Sequence, residues 1–201
     1  MEECVFRAIR QRRTIRRYTD QAVTDEQIDT LLELAMCAPS RLDGQPWHFI
    51  IVRDEELQKE LADCLGLHPY LETAPVVIAV AARPKLSTTW QMDVSAAVEN
   101  LLIAATAMGL GTAWVSEPDS VLWETAEEML RAALSIPTQL ELRIPILITV
   151  GYPAEERSPH GRHDRFDQNK IHYGVWGARK SGIGREELSA DTIARPATGE
   201  S

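Results

Sequence analysis

Val76-Val77-Ile78-Ala79-Val80-Ala81-Ala82 is an unbroken apolar run, opened by Pro75 and closed by Arg83-Pro84-Lys85. It is short, rich in β-branched residues and bounded by turn signals, so it reads as a strand rather than a helix. A strand with one wet face alternates apolar and polar side chains. This one does not alternate, so both of its faces must be covered. The chain therefore needs helices on both sides of a sheet, with this strand inside it.

The rest of the sequence supplies those helices. Thr24-Asp25-Glu26-Gln27 is a capping box, and the helix it opens carries Ile28, Leu31, Leu32, Ala35 and Met36 at helical spacing. Pro39 marks its end. Asp54 caps a helix bearing Leu57, Leu61 and Leu65, broken between Gly66 and Pro69. Gln91 to Met108 reads as a long helix with a wide apolar face of Val94, Val98, Leu101, Leu102, Ala105 and Met108, and Gly109 suits the C′ position. It is predicted to be the most buried helix. Asp119 or Ser120 caps a helix with Leu122, Ala126, Met129, Leu130 and Ala133. Near the N-terminus, Val5-Phe6-x-x-Ile9 reads as a short amphipathic turn.

Further strands are predicted at His48–Val52, Thr112–Val115 and Ile144–Val150. Pro145 implies an unpaired edge at its end of the last one. Ala38 to Trp47 holds two prolines, a glycine and four polar residues, so it is a loop. Gly109-Leu110-Gly111 is not a dinucleotide fingerprint. The third glycine is missing, and the order is helix, glycines, strand rather than strand, glycines, helix.

Composition narrows the function. The chain has 201 residues, 44% hydrophobic and 25% charged, with a formal net charge of −9. That acidity argues against nucleic acid, which needs a basic footprint. No run approaches a membrane span, and the N-terminus lacks an apolar leader core, so no membrane partner is expected. Cys4, Cys37 and Cys64 share no metal or redox spacing, which points to a reducing cytoplasm. Within this acidic chain, Arg12-Arg13-Thr14-Ile15-Arg16-Arg17-Tyr18 packs four arginines into seven residues. Guanidinium groups suit phosphate, because their planar fork donates two parallel hydrogen bonds. The cluster is read as the grip on a cofactor phosphate; the plainer reading is a solvated basic face.

A second basic patch holds Arg157, Arg162, His163, Asp164 and Arg165. His160-x-x-His163-Asp164 lies among arginines in a loop, so no metal site is assigned. His48, His68 and His172 read as packing or surface residues. Tyr173 and Trp176 sit in a stretch without helical or strand period and are expected to pack on something, such as a partner subunit. From Lys180 onward the Gly, Ser, Glu, Thr and Pro content suggests disorder. The expected organisation is one domain over residues 1–177 and a flexible tail over 178–201.

Six features in order resemble the nitroreductase family of FMN-dependent oxidoreductases. They are Arg12-Arg13-Thr14-Ile15-Arg16; Ala38-Pro39-Ser40 with Gln45-Pro46-Trp47; Ala74-Pro75 before the apolar strand; Asp93 to Asn100; Gly109-Leu110-Gly111-Thr112-Ala113-Trp114; and Gly151-Tyr152-Pro153 with its trailing arginines. The resemblance runs from about Ile9 to Trp176. It implies an α+β fold with a mostly antiparallel central sheet flanked by helices, in an intertwined homodimer with FMN at the subunit interface. It implies ping-pong electron transfer from NADH or NADPH to an electron-poor small molecule: a nitroaromatic, a quinone or an enone. A flavin-destroying or dehalogenating branch of the family, and a non-enzymatic flavin-binding protein, are the alternatives.

Residue by residue, the resemblance implies that Arg12, Arg13, Thr14 and Arg16 hold the FMN phosphate and ribityl chain, with Arg165 and, second, Arg162. Pro39, Ser40 and Asp43 match the loop that approaches the ring from the other subunit. The family usually has asparagine where this chain has Asp43, and small residues in place of Arg41 and Leu42. An ionised carboxylate only accepts hydrogen bonds, so Asp43 would lower the flavin potential unless Arg41 pairs with it. Val115, Ser116 and Glu117 align with the loop beside flavin N5, where a backbone N–H of Ser116 or Glu117 is expected to bond N5. Relatives often have glycine there. Asp93 and Asn100 are read as buried helix-packing residues. His68 lies near a segment that borders the active site in relatives. No side chain is assigned as an obligatory catalytic acid or base, since hydride transfer between stacked rings depends on positioning.

Overall fold

The computed structural model describes residues 2–66, 68–116 and 121–179. The chain forms two compact units, Met1–Pro159 and His160–Ser201. Most of the expected tail, residues 180–201, lies outside the described residues.

The first unit is built on a sheet of β1 (Trp47–Val52), β2 (Val76–Ala82), β3 (Gly111–Val115) and β4 (Arg143–Gly151). The order is β1-β2-β4-β3, and every pairing is antiparallel. All of β2 is buried, as its composition requires. Its side chains divide by the two-residue period of a strand. Val76, Ile78, Val80 and Ala82 enter one core, while Val77, Ala79 and Ala81 enter the other.

Helices cover each side. α2 (Asp25–Met36) and α4 (Trp90–Ala107) close the first core through Leu31, Ala35, Val98 and Leu101. α3 (Glu55–Leu65) and α5 (Val121–Ala133) close the second through Leu61, Trp123 and Leu130. The starts of α2 and α3 are those read from sequence. Thr24 and Gln27 form the reciprocal capping box, and Asp54 accepts from the Leu57 amide at 2.9 Å. Gly109 follows α4 with φ of 78°, a left-handed conformation that suits glycine. Among the helices of the described residues, α4 has the most buried positions, including Val94, Ala97, Val98, Leu101, Leu102 and Ala105.

Three sequence expectations need correction. The amphipathic turn near the N-terminus is a full helix, α1 (Glu2–Gln11). It packs on α4, with Ala8 buried and Val5, Phe6 and Ile9 exposed. On α5 the buried stripe is Trp123, Ala126, Glu127 and Leu130, while Leu122 and Met129 are exposed. Those two residues are seven apart and share the flank rather than the buried face. Its expected caps, Asp119 and Ser120, lie outside the described residues. Asn100 is only half-buried, unlike Asp93, and reaches across to donate to the Leu34 carbonyl at 3.3 Å. Pro145 belongs to an interior strand, yet it sits beyond the last β3–β4 pair, Val115 with Leu147, and where the β2–β4 register slips. Its missing N–H falls where the ladder is already interrupted.

β3 is an edge strand, and the segment after α1 docks against it. Thr14 bridges Thr112 in parallel, and the Ile15 amide donates to the Thr112 carbonyl at 2.8 Å. Residues 152–154 then run antiparallel to 17–19. Thr19 donates to the Tyr152 carbonyl and Ala154 to the Arg17 carbonyl, both at 2.9 Å. Two glycines make room for this close approach. A Cβ on Gly111 would lie 2.8 Å from the Ile15 side chain, and one on Gly151 would lie 2.6 Å from Pro75 and 2.7 Å from Tyr18.

The second unit starts with one helical turn, α6 (Arg162–Arg165), and the Gly161 amide donates to Asp164 at 2.9 Å. His172 and Trp176 stack with ring centroids 4.1 Å apart. The Arg179 guanidinium donates to the carbonyls of Gln168, Asn169 and Ile171 and closes this loop. Tyr173, Val175 and Trp176 are exposed. No helix among the described residues is long and apolar enough to cross a membrane.

Gly151→Ala is expected to cost about 1–3 kcal/mol of stability, because neither the Pro75 ring nor the Tyr18 ring can yield without moving the docked segment. Urea unfolding of the variant beside the parent protein measures it.

Candidate functional site

The arginine segment is held from several directions. Ile15 is buried under it. The Tyr18 hydroxyl meets the Ile15 carbonyl and the Thr149 hydroxyl, each at 2.5 Å. Burial pushes the Tyr18 phenol well above its ordinary pKa, so it stays protonated and can donate. Glu155 completes the attachment. Its Oε1 accepts from the amides of Arg16 at 2.8 Å and Arg17 at 3.3 Å, and its side chain is 5% exposed.

This scaffold sorts the four arginines. Arg12 pairs with Glu99 on α4 at 3.4 Å. Arg17 approaches Glu155 Oε2 at 3.7 Å, where Arg157 also binds at 2.9 Å. Arg13 donates to the Ser158 carbonyl, a neutral acceptor that leaves its charge uncompensated. Arg16 has no carboxylate partner among the described residues; its guanidinium lies over the Tyr70 ring at 5.5 Å, within cation–π reach. Tyr70 is itself held by a 3.0 Å hydrogen bond between its hydroxyl and His68 Nδ1. Among the described residues, Arg16 and Arg13 are thus the cations of this segment without a carboxylate partner. Thr14 is half-buried between them, its backbone committed to the bridge with Thr112.

The second group of predicted residues lies in the loop after α2. Ser40 Oγ accepts from the Gln45 amide at 3.0 Å, and Asp43 Oδ1 accepts from Gln45 Nε2 at 2.8 Å. The partner of Asp43 is therefore Gln45 and not Arg41. The Arg41 amide donates instead to Asp93 on α4 at 3.4 Å, and Asp93 also accepts from the Thr89 hydroxyl at 3.1 Å. Asp93 is thus buried for a reason beyond helix packing: it ties the loop to α4. Leu42, Asp43 and Gln45 have φ of 52°, 55° and 40°. Three non-glycine residues in the left-handed region within four positions is a strained loop, and such strain collects at ligand clamps. Gly44 between them is needed for space, since a Cβ there would lie 2.4 Å from the Leu86 carbonyl oxygen. Leu42 projects outward, 88% exposed. Pro39 precedes this loop at the end of α2.

Val115 ends β3 and is buried, and the Ser116 hydroxyl donates to the Pro145 carbonyl at 2.7 Å. That bond fixes Ser116 against β4 at the end of β3. Glu117 lies outside the described residues. In the second unit, Arg162 stacks over Phe166 at 4.4 Å and Arg165 Nε donates to His160 Nδ1 at 3.2 Å.

Reading the sequence alone missed Glu155, Tyr18 and Tyr70. The adjacent acids Glu155 and Glu156, two and three residues after Gly151-Tyr152-Pro153 and just ahead of the basic patch, were the available signal, with nothing to say which of them turns inward.

Burial by itself would raise the Glu155 carboxyl pKa. Hydrogen bonds from the Arg16 and Arg17 amides and the charge of Arg157 outweigh it and hold the group below the ordinary carboxylate value. A carboxyl lowered by folding stabilises the fold above its unfolded pKa, about 4.3, and loses that contribution as pH falls through the folded value. Thermal melts from neutral pH into acid are expected to show the parent protein losing stability below about pH 4.3 more steeply than Glu155→Gln, which has no such group to protonate.

The model of the Nitroreductase family matches residues 9–66 and 63–152. A protein of Archaeoglobus fulgidus, provisionally named NADH dehydrogenase/NAD(P)H nitroreductase, is 38% identical over 182 residues, covering 88% of this chain and all of the relative. An FMN-dependent nitroreductase structure from Clostridium difficile superposes with a TM-score of 0.77 at 29% identity, covering 84% of this chain and 98% of that one. A provisionally named nitroreductase from Desulfovibrio desulfuricans, solved in complex with FMN, does so with a TM-score of 0.67 at 34% identity, covering 77% and 89%. With its antiparallel sheet, its docked arginine segment and these matches, the chain belongs to the nitroreductase family.

Proposed function

We propose that this chain is an FMN-dependent oxidoreductase that takes electrons from NADH or NADPH and passes them, in two half-reactions, to an electron-poor small molecule such as a nitroaromatic, a quinone or an enone. The observation that carries the reading is the sorting of the arginines. A fold that tethers Arg12 and Arg17 to carboxylates, while Arg16 and Arg13 have none among the described residues, presents two unneutralised guanidiniums on one edge. A phosphate dianion answers that charge, and the planar forks match its oxygens. The donor set therefore fits the phosphate of FMN, on which the C. difficile protein depends and with which the D. desulfuricans protein was solved.

When bound, FMN supplies a ring that accepts hydride and releases electrons singly or in pairs. The protein's part is to bind, orient and exclude water. Arg16 and Arg13 would hold the phosphate, with Arg12 nearby as a second layer of charge and the Thr14 hydroxyl as a neutral donor. Arg165 and Arg162 enter the proposal on the family resemblance alone. The strained Ser40–Gln45 loop, pinned by Asp93, would approach the ring through Pro39, Ser40 and Asp43. Val115, Ser116 and Glu117 would pass beside the reacting edge, with a backbone N–H directed at N5.

A homodimer is part of the proposal. Supporting it are the exposed apolar side chains of Val5, Phe6 and Ile9 on α1, Met92 on α4 and Leu42 in the loop. Surface of that kind on a soluble fold favours a protein partner, and a second copy brings the Ser40–Gln45 loop to the cofactor of its neighbour.

Stopped-flow mixing of the yellow protein with NADH or NADPH tests the function. Rapid bleaching, followed by return of the absorbance on adding a quinone, is the expected result. Loss of the flavin itself under oxygen, or no bleaching, would reject it in favour of a flavin-destroying enzyme or a passive binder. Arg16→Ala is expected to weaken FMN binding by about tenfold or more, the loss of one charge-assisted bond, and Arg12→Ala by clearly less. Fluorescence titration of both variants checks the order.

A further inference from the structure

We propose that Glu155 is the positioning residue of the phosphate site: it orients the Arg13–Arg17 backbone so that Arg16 and Arg13 reach the cofactor phosphate, while its own oxygens stay committed to protein donors. The inference rests on the functional reading above.

The segment and its strap form one construction. Residues 152–158 run along residues 13–19 through Thr19 to Tyr152, Arg17 to Ala154 and Arg13 to Ser158. Glu155 sits at the middle of this strap. One oxygen takes the amides of Arg16 and Arg17, and the other takes the guanidiniums of Arg157 and Arg17. Two successive amides converging on one oxygen set the backbone direction at Arg16 and Arg17. The direction of the Arg16 side chain follows from it, since Cβ is placed by the backbone. Arg17 is drawn to the carboxylate, and Arg16 is turned to the Tyr70 ring.

Charge alone argues the opposite. A carboxylate beside a phosphate site repels the dianion, so a group acting only as a counterion would hinder binding. The positioning role and the counterion role thus predict changes of opposite sign when the charge is removed. In Glu155→Gln one oxygen can still accept an amide, but the new NH₂ group faces the Arg157 and Arg17 guanidiniums, donor against donor. The strap then loses its hold on the segment.

The experiment compares FMN with riboflavin, which has the ring and ribityl chain but no phosphate. Full-length protein is loaded with each flavin, and Kd is read from recovery of flavin fluorescence on serial dilution. The expected result for Glu155→Gln is an FMN Kd raised by about tenfold or more, with the riboflavin Kd within about twofold of the parent protein. Unchanged or tighter FMN binding overturns the proposal, and so does equal weakening of both flavins, which is plain destabilisation. If the parent protein shows no preference for FMN over riboflavin, the phosphate reading itself fails, and this inference with it. Should Glu155→Gln show no cooperative melt, Glu155→Asp decides by the same titrations. It keeps the charge but is one methylene too short to serve both sets of donors. FMN weakened more than riboflavin supports the assignment, and equal or absent changes overturn it.

Discussion

A peptide segment can lie flat on the edge of a sheet only where nothing projects into its path. In this chain that condition is met at Gly111, which opens β3, and at Gly151, which closes β4. Their missing side chains let Ile15 and Tyr18 sit within contact distance of the sheet. Tyr18 then reaches Thr149, and the arginines on either side of Ile15 are carried to fixed places. The same close packing explains the sheet order. β3 is outermost, so its free edge is available to Thr14 and Ile15, while the apolar strand β2 is enclosed between β1 and β4.

The arginines would oppose one another if all faced the same way. Like charges near a protein surface repel by several kcal/mol at contact distances when the effective dielectric is about 20. The fold reduces that cost by distribution. Glu99, from α4, meets Arg12, and Glu155, from the strap, meets Arg17 and Arg157. Arg16 finds the face of Tyr70. What remains is a local positive site on a chain whose formal net charge is −9. An anionic ligand would meet repulsion from most of this surface and attraction at one edge, so charge contributes to where it binds as well as how tightly.

Much of this was readable in advance because it is local. A capping box acts within four residues, so Thr24 and Gln27 announce the start of α2 unaided. The seven apolar residues of β2 announce a strand buried on both faces, and both cores follow from its alternation. Side-chain phase was harder. Leu122 and Met129 look like core residues in a list, yet α5 turns Trp123, Ala126 and Leu130 inward instead. The three positive φ values at Leu42, Asp43 and Gln45 had no sequence signal at all, because none of these residues is glycine. Asp93 holds the loop from outside its own stretch of chain, through the Arg41 amide, and Ser40 ties it from within, through the Gln45 amide.

The order of strands and helices, the acidic balance and the anion-seeking chemistry of Arg12 to Arg17 are properties of residue type and spacing, and the sequence by itself determined them. Which arginine is neutralised, and by what, is a property of distance. Glu155 lies 138 residues from Arg17 along the chain and Glu99 lies far from Arg12, and no local pattern relates them. Only the folded sheet brings them together, since antiparallel pairing ends β4 beside the start of β3 and delivers residues 152–158 to the arginines. Backbone propensity acts over a few residues, whereas charge pairing and close packing act through space, and that difference in reach is why tertiary structure decided the site.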